Sequence, residues 1–218
     1  MNIPFTIDQF FEIIREYNTS IFPMQIILNL LALVSIILAI IKSNYTNKFI
    51  SITLGFSWLW MGIVYHFIFF TKINPAAFVF AIFFVLQGII FIYYGAVKNR
   101  ISFGFRKDWI GMVGLLFIIY ALLIYPVLGI LLGHTYPDNP TFGLPCPTTI
   151  FTFGILLWTM KKVPIYFVII PFLWSIIGLS AAINIRVYED FGLIVAGITA
   201  TILLLIKNKK MILSDKTI

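Results

Sequence analysis

The chain has 218 residues, of which 61% are hydrophobic and 11% charged, and 15 Lys and Arg against 8 Asp and Glu leave a net charge of +7. An ordinary soluble domain carries about 25% charged residues. So few charges cannot clothe a soluble surface, and one cysteine, Cys146, cannot close an intramolecular disulfide, which excludes a cytosolic enzyme, a disordered tail and a secreted disulfide scaffold.

The expected fold is all-α: a polytopic membrane protein whose first partner is the lipid bilayer. No cleavable leader is expected, because Asp8, Glu12 and Glu16 fall where an apolar run would be needed. Residues 6–17 read instead as a short amphipathic helix lying in the interface, within an external segment 1–21. Thr6 and Gln9 fit a capping box. Ile7, Phe10, Phe11, Ile14 and Tyr17 share one face, and Asp8, Glu12, Arg15 and Glu16 the other. An anchor that sets the start of the first span is the simpler role for it; a lid over an external pocket is the sharper one.

Seven apolar stretches follow, at 22–41, 49–70, 75–97, 109–133, 144–160, 163–185 and 191–206, and none contains Lys, Arg, Asp or Glu. A hydrocarbon core of ~30 Å takes about 20 apolar residues as a helix, so 22–206 reads as a seven-helix transmembrane bundle. Lys42, Lys48, Lys98, Arg100, Arg106, Lys107, Lys161, Lys162, Lys207, Lys209, Lys210 and Lys216 fall on one side of it. Arg15, Lys72 and Arg186 fall on the other. The positive-inside bias then places the N-terminus outside, the C-terminus in the cytoplasm and 207–218 as a basic cytoplasmic tail of a bacterial inner-membrane protein. The positive residues lie in short segments between apolar runs, not in one groove-sized patch, so no nucleic-acid partner is expected.

The segment 133–149, GHTYPDNPTFGLPCPTT, is unlike the other loops. Four prolines and two glycines stop a continuous helix. Backbone of this kind at membrane depth must be buried in protein or line a wet cavity. On the topology above, His66 lies about one turn below the outer end of the second span, His134 follows the fourth, and Cys146 begins the fifth. Imidazole and thiolate are ligands for zinc, copper or iron, so His66, His134 and Cys146 are the candidate metal ligands, with Tyr65, Tyr136, Asp138, Glu189 and Asp190 as further oxygen donors. Two histidines at matched depth also admit a bis-histidine haem. The plainer expectation is a hydrogen-bonded external pocket of His66, His134, Tyr136, Thr148, Thr149 and Thr152. There the free N–H groups of a helix starting near Pro147 would face an anionic or carbonyl-bearing ligand.

Absences narrow the chemistry. The last span has no lysine for a retinal Schiff base, two histidines are one short of a ceramidase-type zinc site, and no carboxylate falls inside an apolar stretch, which counts against a carboxylate-based antiporter. No nucleophile triad or phosphate-binding glycine loop is present.

Ile3-Pro4-Phe5-Thr6 with Asp8-Gln9-Phe10 and Tyr17-Asn18 resembles the start of a family of bacterial multi-pass membrane proteins of unknown function. Trp60-Met61-Gly62, Tyr65-His66 and Ile73-Asn74-Pro75-Ala76 are similar to it as well. So is the run His134-Thr135-Tyr136-Pro137 through Phe142-Gly143-Leu144-Pro145-Cys146-Pro147-Thr148-Thr149-Ile150-Phe151. The resemblance covers nearly the whole chain and implies a polytopic inner-membrane protein, with no activity attached. The expected function is binding or transport of a small solute or metal ion at an external pocket. A metal- or haem-dependent redox protein and a structural or accessory subunit stand as alternatives.

Overall fold

The computed structural model describes residues 4–215, and each of the seven apolar stretches is helical in it. Helix α1 spans Ile7–Ser20. Six helices are long and apolar enough to cross a membrane: α2 (Met24–Ile41), α3 (Thr46–Lys72), α4 (Ala77–Val97), α5 (Trp109–Leu131), α7 (Ile165–Asn184) and α8 (Tyr188–Leu213). Between α5 and α7 lies a shorter apolar helix, α6 (Pro145–Leu157).

The long helices face outward with large aliphatic side chains. On α2, Ile26, Leu30, Leu33, Ile37 and Ile40 are exposed, whereas Leu28, Ala32, Ser35 and Ala39 are buried. Repeated around the bundle, such a surface far exceeds the few hundred Å² of apolar patch that a water-soluble monomer presents. It is the surface expected against hydrocarbon.

The centre is α6. All its residues are buried except Cys146, which is half-buried. It packs against α5, α7 and α8, and α3 reaches it through Trp58, whose Nε1 donates to Thr152 Oγ1 at 3.0 Å. Backbone touches backbone where α5 meets α6: a Cβ added to Gly114 would lie 2.8 Å from the Gly154 carbonyl oxygen, and one on Gly154 equally close to that of Gly114. Small residues let apolar helices approach to this distance when no water is present to drive them together.

The sequence pattern extended α6 over 144–160, but the helix has 13 residues. Pro145 and Pro147 occupy its first turn, where their missing N–H groups would have no helical partner anyway. Its far end stops because the chain pairs elsewhere. Gly104 N donates to Trp158 O at 2.8 Å, Met160 N to Ser102 O at 2.7 Å, and Trp158 Nε1 to Gly111 O at 2.8 Å.

That end of the bundle also holds a buried lysine. Residues from 207 onward were expected as a tail, but helix continues to Asp215, and Lys207 is 3% exposed, donating to the Thr159 carbonyl and hydroxyl. Lys216 lies outside the described residues.

Three long helices contain wide π-helical turns, at Met61–Phe69 in α3, Phe91–Val97 in α4 and Tyr120–Ile124 in α5. Such turns recur at functional sites, and the one in α3 carries His66.

The α5–α6 contact yields a test of the packing. Gly154→Leu would drive a side chain into the Gly114 backbone and Ile118, so it is expected to destabilise the protein by about 1–3 kcal/mol or more. Thermal unfolding in detergent measures it, with Ile155→Ala as a cavity-forming comparison.

Candidate functional site: a cavity beneath the first helix

Helix α1 lies across one end of the bundle. Its capping box forms, with Gln9 N donating to Thr6 Oγ1 at 3.2 Å and Thr6 N to Gln9 Oε1 at 2.9 Å. The face turned to the bundle consists of Phe10, Ile13, Ile14, Tyr17 and Asn18, all buried. Ile7 and Phe11, expected on this face, are half-buried.

Polar contacts stitch the helix to the 133–144 segment. Arg15 makes a two-pronged ion pair with Asp138, 2.7 Å on each arm. Asn18 Nδ2 donates to the carbonyls of Pro137 and Asn139. Tyr17 Oη donates to Gly143 O at 2.9 Å and accepts from Trp60 Nε1. Burial raises the Tyr17 pKa above the ordinary tyrosine value, so its hydroxyl stays a neutral donor. Lys72 pairs with Glu16, and Phe11 lies on His134 with ring centres 4.4 Å apart. The proline-rich segment therefore serves as a bracket for α1.

Beneath α1 is a cavity of about 450 Å³, within the range of small-molecule sites. Phe5, Phe10 and Ile14 form its roof. Phe70, Phe80 and Trp174 stand in its walls, and Leu144 and the first residues of α6 lie along its base. Most of the lining is apolar. A smaller cleft between α4 and α7 shares Phe80, Trp174, Ile176 and Ile177 with it. Ile176 and Ile177 are among the exposed residues of the outer surface, so the cavity reaches the side of the bundle.

Its polar groups gather around Asp190. Tyr125 Oη donates to Asp190 Oδ1 at 2.5 Å, and the Cys146 thiol is within hydrogen-bonding reach of the same carboxyl. Tyr65 lines the cavity at 4% exposure, and its hydroxyl has no hydrogen bond among the described residues. Trp174 Nε1 has no nitrogen or oxygen partner among them, only the Cys146 sulfur nearby. Asp190 and its neighbour Glu189 are 2% and 1% exposed. Both fall between the apolar stretches 163–185 and 191–206 of the sequence. The structure starts α8 earlier, with a 3₁₀ turn at Tyr188–Asp190 that leads directly into the helix. The positive end of a helix favours carboxylates there.

The site residues expected from sequence are distributed unevenly. Cys146 reaches the cavity. His66 stands behind its wall, wholly buried in a box of aromatic rings, with centroids at 4.5 Å to Phe84, 5.1 Å to Tyr65 and Trp174, 5.7 Å to Phe80 and 6.0 Å to Phe70. Neither ring nitrogen has a partner among the described residues. His134 sits on the other side of the acidic pair, its Nδ1 3.3 Å from Glu189 Oε1. Tyr136 is 62% exposed.

The threonines of α6 are buried away from the cavity. Thr148 Oγ1 accepts from Gly143 N, Thr152 Oγ1 donates to Thr148 O, and Thr149 Oγ1 has no partner among the described residues. Among the described residues no three His, Cys, Asp or Glu side chains converge as a metal would need, so His66, His134 and Cys146 are not brought to one point. Tyr125 and Trp174, which sequence reasoning passed over, belong to the polar corner. The signal for it was the acidic pair Glu189-Asp190 opening an uninterrupted apolar run.

The architecture is thus that of an all-helical protein with six helices suited to crossing a membrane and an apolar cavity capped by a separate, amphipathic one. The chain belongs to a family of unknown function, DUF6064, whose family model matches residues 7–214. No curated protein and no solved structure matches it.

Two measurements test this geometry. The Arg15 hydrogen bonds and charge hold the Asp138 carboxyl below its ordinary 3.8. A depressed carboxylate stabilises the fold above that value and loses its contribution as pH falls through the depressed one. Amide protection factors in 7–20, taken relative to intrinsic exchange at each pH, are therefore expected to be higher at pH 6 than below about pH 4, and lower and nearly independent of pH in Arg15→Ala. His66→Phe removes two unpartnered nitrogens from an aromatic box and is expected to leave the unfolding midpoint unchanged or raised. A loss above about 2 kcal/mol would mean that the imidazole has a partner the described side chains do not supply.

Proposed function

We propose that this is a bacterial inner-membrane protein that binds or transports a small, largely apolar solute in the cavity beneath α1. In this reading α6, continued by the 133–144 segment, completes a seventh crossing. The charge distribution orients it. In this reading Arg15, Lys72 and Arg186 fall at the α1 end and the other Lys and Arg among the described residues at the opposite end, so the positive-inside bias puts α1 outside and the C-terminus in the cytoplasm. Helix α1 then lies in the outer interface, with its charged residues toward water and Phe10 and Ile14 turned inward.

One observation carries the reading: a cavity of about 450 Å³ with mostly apolar walls, a polar corner and a cleft to the side of the bundle between α4 and α7. A cavity of that size and character is seldom left by packing alone, because interiors are close to crystal density. The side cleft suits a solute that partitions into lipid, and the bracketed roof suits one kept from the water above.

The test is binding of a neutral apolar fluorophore, N-phenyl-1-naphthylamine, to the purified protein. Saturable enhancement is expected, and Ile177→Trp, which fills the cavity from its side, is expected to weaken it about tenfold. Non-saturable signal equal to a detergent blank, or no response to Ile177→Trp, would refute a binding cavity.

A further inference from the structure

The acidic pair at the start of α8 differs in how its two carboxylates are matched. Glu189 has His134 beside it at 3.3 Å. Asp190, 2% exposed, pairs with no Lys, Arg or His among the described residues. It receives only the neutral Tyr125 hydroxyl and the thiol of Cys146. Arg186, four residues earlier, is exposed and makes no ion pair among the described residues. A buried carboxyl among apolar helices is a functional-site candidate by default, and what Asp190 lacks among the described residues is a cation.

The rest of the cavity describes the ligand further. Tyr65, Phe70, Phe80 and Trp174 line it together with Phe10 of the roof. Aromatic faces present negative quadrupole charge, and rings grouped around a buried carboxylate are how proteins hold ammonium groups out of water. Tyr65, itself 4% exposed, adds its ring and hydroxyl to the lining. The remaining walls, Ile14, Leu144, Ile177 and Ile185 among them, offer only hydrocarbon. A hydrophilic cation would leave that hydrocarbon wet, and an anion would find no Lys, Arg or His in the lining to receive it.

We infer that the cavity takes a lipophilic organic cation, an amine or quaternary ammonium with an apolar body, whose positive centre lies between Asp190 and the aromatic walls. The inference rests on the binding cavity proposed above and names its ligand class. Asp190 supplies the charge, Tyr65 and Trp174 the ring faces, and the side cleft between α4 and α7 the path from the bilayer.

Tetraphenylphosphonium and tetraphenylborate have the same shape and opposite charge, and they decide the matter on the unmodified protein. Equilibrium dialysis in detergent is expected to give saturable binding of the phosphonium and none of the borate. Asp190→Asn is expected to weaken the phosphonium at least about thirtyfold, with a monodisperse elution profile and cooperative thermal unfolding in detergent reporting that the variant is folded. Equal binding of both ions, or of neither, overturns the inference, as does a phosphonium affinity indifferent to Asp190→Asn. If the neutral dye binds saturably and the phosphonium does not, the cavity stands and the ligand class is wrong. If the dye does not bind either, the cavity reading itself fails.

Discussion

Thirteen residues of helix rise about 20 Å, some 10 Å less than a hydrocarbon core. Helix α6 is buried along nearly its whole length, so the polar backbone groups beyond its ends must be met by protein. The structure meets them with two different solutions. At one end, short hydrogen bonds between residues 102–104 and 158–160 continue the chain as a small extended pair. At the other, the 133–144 segment is held by Tyr17 and Asn18 of α1. The position of α1, and with it the roof of the cavity, is tied to how this buried helix is finished.

Much of this was legible in the residues. Apolar runs located all seven helices, because a twenty-residue run without a charge leaves a helix as the only economical backbone. Thr6 and Gln9 announced the start of α1. The length of α6 was not legible: residues 144–160 are continuously apolar, and the partner segment that stops the helix lies more than fifty residues away in sequence. The charges at 189 and 190 hid the start of α8 for the opposite reason. Acidic residues read as loop, yet a helix N-terminus is where a carboxylate can be buried with backbone dipoles for compensation.

The candidate site was half visible. Depth along a helix can be counted, and the counting brought His66, His134 and Cys146 to the end of the bundle that α1 covers. Direction around a helix cannot be counted when every face is apolar. Helix α6 has no polar stripe, so nothing distinguished Cys146, which faces the cavity, from Thr148 and Thr152, whose hydroxyls are spent on Gly143, Trp58 and their own helix. The same ambiguity sent His66 into the aromatic box behind the wall rather than into the cavity.

The wide turns of α3, α4 and α5 carry a consequence for how the family can vary. A turn closed by i→i+5 hydrogen bonds holds one residue more than its α-helical counterpart. Everything beyond Met61 in α3 is therefore set at a different angular phase from everything before it. Losing a single residue there would restore a regular ladder and swing Tyr65, His66 and Phe70 together away from their present neighbours. Sequence length in these three short windows is thus tied to the geometry of the cavity, while the helix tips and the chain termini are free of that bond.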